Sequence, residues 1–369
     1  MQLSVLGGLS ALLAESGFGP ANHRKIPRFS PSICAVHSRR RSDPLALRGV
    51  TLARPRPVHP GRTYMITRRC SERRFFLKPS TFVEHIFTYC LAVAAARFGI
   101  LLHACTVMSN HHHLVLTDVH GNLPRFCHLL HSLAARMLNR CYGRFEHFWD
   151  PASYSRVELV NPEDVLDKMA YTLANPVAAG LVEKGVDWPG FITTPKMLLG
   201  KRSQSISIDR PEGFFVEDTD MPESIELQFC CPPMLEEAMG KEKAAEELQR
   251  LRMIHEKVAR EKVAELGIPF LGRGGVYGQD PFSRPHTYEK RFQLSPSIGC
   301  RDAQRREELI QRNEEWLEQY EVARARFWLG EREVLFPEGT WGPAVLFGAL
   351  VEGGGPPVTP PELPPPLAA

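Results

Sequence analysis

The feature that most constrains this chain is a repeated change of hydrophobic period between Tyr64 and Val160. The run TYMITRR alternates as a strand does, with every second side chain on one face. From Ser80 to Phe98 the apolar residues Phe82, Ile86, Phe87, Cys90, Leu91 and Ala94 recur at helical spacing, and Gly99 supplies a stop. Ile100–Met108 and His111–Thr117 read as paired strands joined by the short turn Ser109-Asn110. Leu123–Cys141 is helical again, with a core stripe of Leu123, Phe126, Leu130, Leu133 and Met137, and Tyr154–Val160 reads as a fourth strand. Strand, helix, strand, strand, helix, strand is the order of a ferredoxin-like α+β layer, an antiparallel sheet with helices on one face.

A third helix is predicted from Asn161 to Asn175-Pro176. Asn161 is its expected cap, Pro162 suits its first turn, and Glu163 and Asp164 complement its dipole. Beyond this helix, 191–235 reads as a loop-rich linker and 236–345 as a largely helical accessory region. Charged helices are expected there over Glu236–Leu266 and Arg301–Leu329, with the Gly/Pro-rich loop FLGRGGVYGQDPFSRP between them. The segment 346–369 reads as a Pro-rich disordered tail. Residues 1–60 are Arg-rich, nearly free of acids and without lasting periodicity. They read as a disordered leader or an over-extended start, with a basic arm on DNA phosphates as the alternative.

Net charge is only +3, but it is unevenly spread: the basic start contrasts with Glu212–Glu237, which holds no Lys or Arg. Such a distribution is compatible with nucleic-acid binding without establishing it. Nine Cys without any CxxC argue for free thiols in a reducing cytoplasm rather than a disulfide framework. Cys230-Cys231 and Cys300 lack the spacing of a metal site. The opening segment lacks the basic start of a signal peptide, and no apolar run is long enough to predict a membrane helix.

The chemistry concentrates in two places. In a strand His111 and His113 point to one face and His112 to the other, so the outer two imidazoles can share one divalent metal. His112 could in principle replace a ligand; the spacing from Asn110 and the following Leu-Val-Leu favours His111 and His113. In the third helix Val165, Leu166, Met169, Ala170 and Leu173 form one apolar face, and Tyr171 falls opposite it, on the side of Asp167, Lys168 and Asn175. Asn175 lies one turn after Tyr171, so both can face one site. Its carbonyl oxygen is an acceptable hard ligand beside two imidazoles for Mg²⁺ or Mn²⁺.

The run Val107-Met108-Ser109-Asn110-His111-His112-His113-Leu114-Val115-Leu116, followed by Tyr171-Thr172-Leu173-Ala174-Asn175-Pro176-Val177-Ala178-Ala179-Gly180-Leu181-Val182, resembles the HUH single-tyrosine transposases, and within them the REP-associated tyrosine transposase group. Tyr64–Arg69 and Phe148-Trp149-Asp150 are similar to that group too, and the resemblance spans 61–190, about a third of the chain. His112 departs from the bulky apolar residue usual between the two ligands. The resemblance implies a bacterial, metal-dependent enzyme that nicks and transfers single-stranded, hairpin-bearing DNA. His111, His113 and Asn175 would hold Mg²⁺ or Mn²⁺, and Tyr171 would form a 5′-phosphotyrosine link. It makes Arg68, Arg69, Arg73, Arg74, Arg125, Arg136 and Arg140 candidate phosphate contacts. A homodimer is compatible with it, because the tyrosine can serve its own histidine pair or a partner's. PFSRP, Arg324-Ala325-Arg326 and Arg332–Thr340 resemble an extension found on some members. Two alternatives are a transposase-derived DNA-binding regulator without catalysis and an HUH endonuclease that initiates replication or transfer. The absence of a GxxxxGK[ST] motif disfavours a fused helicase.

Overall fold

The computed structural model describes residues 55–200, 204–213, 221–285 and 296–355. Of the leader 1–60 and tail 346–369 expected to be disordered, 1–54 and 356–369 lie outside the described residues, whereas 55–60 and 346–355 pack on the fold: Val58 is buried with its N–H on Gly339 O, and Val351 is buried in a short strand. Four strands, β1 (Arg62–Arg69), β2 (Ile100–Val107), β3 (His111–Asp118) and β4 (Ser155–Leu159), stand in the order β2-β3-β1-β4 with all neighbours antiparallel. The connections from β1 to β2 and from β3 to β4 run through α1 (Thr81–Phe98) and α2 (Leu123–Cys141). Both helices pack on one side, here the back face, where Tyr64, Ile66, Leu114 and Leu116 meet Phe87, Leu91, Phe126 and Leu130. The alternate residues Met65, Val115 and Val157 point to the front face and belong to a separate core. Every residue of β3 is buried. A strand covered on both sides reads as a continuous apolar run with its polar residues paired.

The front face carries α3 (Pro162–Ala178), which follows β4. Asn161 precedes this helix without making a side-chain cap; its amide donates instead to Asp164 Oδ2 at 3.0 Å. The predicted end at Asn175-Pro176 is passed by two residues, because the carbonyl that Pro176 cannot satisfy has another donor. Pro176 lacks the N–H that would bond Thr172 O, and the Thr106 hydroxyl of β2 donates to that oxygen at 2.8 Å. The same bond seats α3 on the sheet.

The segment 191–235, read as a linker, is built into the fold. Its strands β5 (Ile206–Asp209) and β6 (Ser224–Leu227) form an antiparallel pair, and Ile208, Met221, Leu227 and Phe229 complete the back-face core. The long charged helix predicted from Glu236 is two helices, α4 (Pro233–Met239) and α5 (Lys241–Glu265), parted at Gly240 with φ 78°. The α5 residues Ala244 and Leu248 bury against Leu166 and Leu173 of α3, so the expected layer with helices on one face gains a front cover from the accessory region. A short helix, α6 (Gly272–Tyr277), interrupts the predicted Gly/Pro-rich loop. Ile298–Gly299 then adds a two-residue strand, β7, parallel to β4, making the five-stranded sheet mixed. The molecule is thus α+β. The last described part packs α7 (Ala303–Trp328) on the parallel pair β8 (Leu335–Phe336) and β9 (Leu350–Val351) through Phe327 and Phe336. No helix among the described residues is long and apolar enough to cross a membrane.

Candidate active site

The antiparallel register of β1 on β3 places Thr67 opposite His113, Arg68 opposite His112 and Arg69 opposite His111. Opposed residues share a face, so the front face receives Thr67, Arg69, His111 and His113, and the back face Arg68 and His112. The two front imidazoles lie edge to face, with His111 Nε2 and His113 Nε2 3.0 Å apart. Their other nitrogens are held. His111 Nδ1–H donates to Asn110 Oδ1 at 2.6 Å, and the Asn110 amide donates to Arg73 O at 3.2 Å, which fixes the orientation of that amide. Thr67 Oγ1 is 2.8 Å from His113 Nδ1. A hydroxyl there can donate or accept, so it suits either tautomer of His113. Burial, then the neighbouring His113 and Arg69, push the His111 imidazole well below its ordinary pKa. Burial and Arg69 bring His113 down to about 3. Both rings are therefore neutral at pH 7, the form that ligates metal.

Tyr171 comes to this pair from α3. Its ring centroid is 5.6 Å from that of His113, edge to face, and Lys168 Nζ lies 5.7 Å from its centre. The tyrosine expected on the polar side of its helix is half-buried against the front core, since the sheet itself stands on that side. Burial raises its pKa, while a hydrogen bond from Asn175 and the charge of Arg69 act in the opposite direction. Asn175 is buried, and its Oδ1 has no hydrogen-bond partner among the described residues. Asn122 and Asn139 also carry side-chain oxygens without a partner, so the place of the Asn175 oxygen beside Tyr171, not its being unpaired, sets it apart.

These features fit a hard divalent ion. Both Nε2 atoms point to one place, 3.0 Å apart, a distance at which they bond each other and from which both can turn to one ion. Among the described residues no group of three or more His, Cys, Asp or Glu is placed to hold a metal. The buried, unpaired Asn175 Oδ1 is an oxygen of the type a hard ion takes.

The structure gathers His111, His113, Tyr171 and Asn175, with exposed Arg69 and half-buried Arg73 beside them. It does not bring in every predicted arginine. Arg68 faces the back, and its guanidinium donates to Asp150 O at 3.1 Å. Arg125 lies 5.8 Å from the centre of the Trp341 ring. Arg136 and Arg140 are exposed on α2, behind the sheet. His112, left open as a replacement ligand, packs among Phe87, His131 and Trp149 on the back face. Thr67, Thr106 and Asn110 position the site without standing out in the sequence; the strand register would have singled out Thr67.

An ion-paired clamp holds α3 from outside. Asp167, one turn before Tyr171, accepts from His255 Nε2 of α5 at 3.1 Å and from Arg301, with Lys168 Nζ at 3.6 Å. Burial opposes its ionisation, but these partners bring its carboxyl down to about 2.

No protein-family model and no curated protein matches the chain. Among solved structures it is similar to a REP-associated tyrosine transposase bound to a REP hairpin, at 19% identity and a TM-score of 0.32, over 37% of this chain and 79% of that one. It is also similar to a transposase candidate from Deinococcus radiodurans R1, at 23% identity and a TM-score of 0.23, over 29% of this chain and 85% of the other.

Proposed function

We propose that this chain nicks single-stranded DNA through Tyr171 and transfers the strand, in a metal-dependent, transposase-like reaction on hairpin-bearing DNA. The observation that carries the reading is the convergence of His111 Nε2 and His113 Nε2 beside Tyr171, with the buried Asn175 Oδ1 unpaired. The motif resemblance over 61–190 supplies the reaction class. The β2-β3-β1-β4 order, with both crossover helices behind the sheet, supports a ferredoxin-like scaffold for it.

In this reading His111, His113 and Asn175 hold Mg²⁺ or Mn²⁺, which when bound polarises a non-bridging oxygen of the scissile phosphate. Asn110 and Thr67 keep the imidazoles oriented, and Arg69 offsets the charge of the incoming phosphate. Tyr171 Oη attacks phosphorus: the Oη–P bond forms, the P–O3′ bond breaks, the phenolic proton passes to solvent, and the 3′-oxygen leaves as a hydroxyl after taking up a proton. The 5′-phosphotyrosine conserves the phosphodiester bond energy, so a later 3′-hydroxyl can displace the tyrosine and reseal the strand. The contact between Tyr171 and His113 within one chain favours a tyrosine that serves its own histidine pair.

The test is to incubate the full chain with labelled hairpin-bearing single-stranded DNA and Mg²⁺ or Mn²⁺, and to look for a denaturation-resistant protein–DNA adduct. An adduct is expected with the unaltered protein and none with Tyr171→Phe. Binding without an adduct across metals and sequences would establish the regulator reading instead, and an adduct that persists in Tyr171→Phe would remove Tyr171 as nucleophile.

A further inference from the structure

Beside the candidate site lies an aromatic surface for which the chemistry at Tyr171 has no use. Tyr142, just past the end of α2, meets Phe82 of α1 at 5.6 Å and Phe282 at 5.7 Å between ring centroids, both edge to face. Phe82 and Phe282 are each 41% exposed, and Phe145 is fully exposed. Cations are interleaved with the rings. The Arg144 guanidinium sits 4.1 Å from the centre of the Phe76 ring, which itself touches Tyr142 and Phe282. Arg74 donates to Phe282 O at 2.6 Å, and Arg284 lies 3.8 Å from Glu72. Glu72 is shared between Arg74 and Arg284, and the acids Glu146 and Asp280 flank Phe145 and Phe282.

The surface is physically joined to the histidine pair. Ser109 Oγ donates to Gln279 Oε1 at 2.8 Å, and Phe75 N donates to Ser283 O at 3.0 Å, so the loop that carries Phe282 rests on the turn preceding His111. The 71–74 turn lies in the same rim. Its Glu72 and Arg73 hold left-handed φ values of 52° and 61°, uncommon for residues other than glycine, and Arg73 O bonds Asn110, the partner of His111. Exposed rings that no described segment covers, interleaved with guanidinium groups, suit a polymer that is anionic along its backbone and aromatic along its bases. A duplex keeps its base faces stacked inside and offers these rings nothing; a single strand offers them its bases.

We propose that Phe82, Tyr142, Phe145 and Phe282, with Arg144 and Arg284, form a stacking platform for single-stranded DNA that leads the strand to the His111–His113 site. The platform rests on the nicking function proposed above and extends it to a subsite supplied partly by the loop after α6. It is tested by fluorescence anisotropy of labelled oligothymidylate with the full chain carrying Tyr171→Phe, in EDTA, so that neither covalent capture nor metal contributes. Adding Phe145→Ala or Phe282→Ala is expected to weaken binding about tenfold each. Phe145→Trp is expected to show extra emission that the oligonucleotide quenches. Phe145 touches nothing that folding needs, so its variants report on binding alone. Binding within about twofold of the parent in both alanine variants, no binding by the parent, or preference for a duplex through the same residues would overturn the platform. Unchanged binding in these variants together with a Tyr171-dependent adduct would remove the platform and leave nicking; weakened binding without any adduct would do the reverse.

Discussion

The sheet carries two histidine pairs back to back. In front, His111 and His113 bring their Nε2 atoms to 3.0 Å; behind, His112 and His131 do the same at 3.0 Å. All four rings are pushed below their ordinary pKa, chiefly by burial, and each pair has a tyrosine ring close by, Tyr171 in front and Tyr154 behind. The surroundings separate them. Behind, Phe87 and Trp149 close over His112, the Trp149 N–H is bonded to His131 O, and Arg68 is committed to Asp150 O. In front, both Nδ1 atoms are braced and Arg69 reaches solvent, whereas behind, His112 Nδ1 is buried without a partner among the described residues. Two close imidazoles are therefore compatible with a packing device or with a ligand set; the polar groups around them decide which.

Substitution should break this symmetry most sharply. His111→Ala or His113→Ala is expected to abolish Mn²⁺ binding in calorimetry and to lower adduct formation at least about 10³-fold. His112→Ala should retain Mn²⁺ binding but lose about 3 kcal/mol in urea unfolding, since it opens a cavity and strips His131 of its partner. Metal binding lost in His112→Ala and kept in His113→Ala would reverse the assignment of the two faces.

Acid should act on both faces together. The isolated His103 of β2 gives the clearest window, because burial lowers it to about 4 while it bonds Cys230 O and Thr117. An unfolded chain takes up this proton near pH 6.5 and the folded one does not, so stability is full above that pH and falls as the pH drops toward 4. His103 alone is expected to cost about 2 kcal/mol by pH 5, read from urea midpoints at pH 7 and pH 5. Asp167, held near 2, stabilises above its unfolded pKa and loses that contribution only as the pH falls below about 4, outside this window. Stability unchanged between pH 7 and pH 5 would mean that these histidines are not buried as neutral rings.

Smaller effects sharpen the front site. Asn175→Ala should weaken Mn²⁺ binding about tenfold, with the Tyr171 adduct slowed rather than lost; an unchanged affinity would remove Asn175 as a ligand. Arg301→Ala removes one partner of Asp167 at a largely exposed position and should cost about 0.5 kcal/mol or less, with no change in metal affinity.

Much of this was legible in the residues. The period changes gave the strands and helices of the layer, with α2 matching its predicted span, because a two-sided sheet and the helices on it leave strong apolar signals. Alternation along β3 was enough to separate His112 from His111 and His113. Other features depend on neighbours distant in sequence. Pro176 reads as a stop and becomes helix interior because Thr106 satisfies the freed carbonyl. Tyr171 reads as lying opposite the apolar face of its helix, and it is half-buried there because His113 fills that side. Residues 191–235 read as a linker because short strands with few apolar residues carry almost no periodic signal, yet they close the back core.

The sequence by itself determined which residue types are available and, through local periodicity, which face of its own strand or helix each one takes. Only the tertiary structure decided which faces meet. It brought Tyr171 to His113, set Arg69 beside the pair and Arg68 behind it, and rested the loop carrying Phe282 on the turn before His111. The physical reason is that periodicity is a property of adjacent residues, whereas a site is made where two cores and an unpaired polar group coincide, and that coincidence depends on strand register and helix docking across the whole chain.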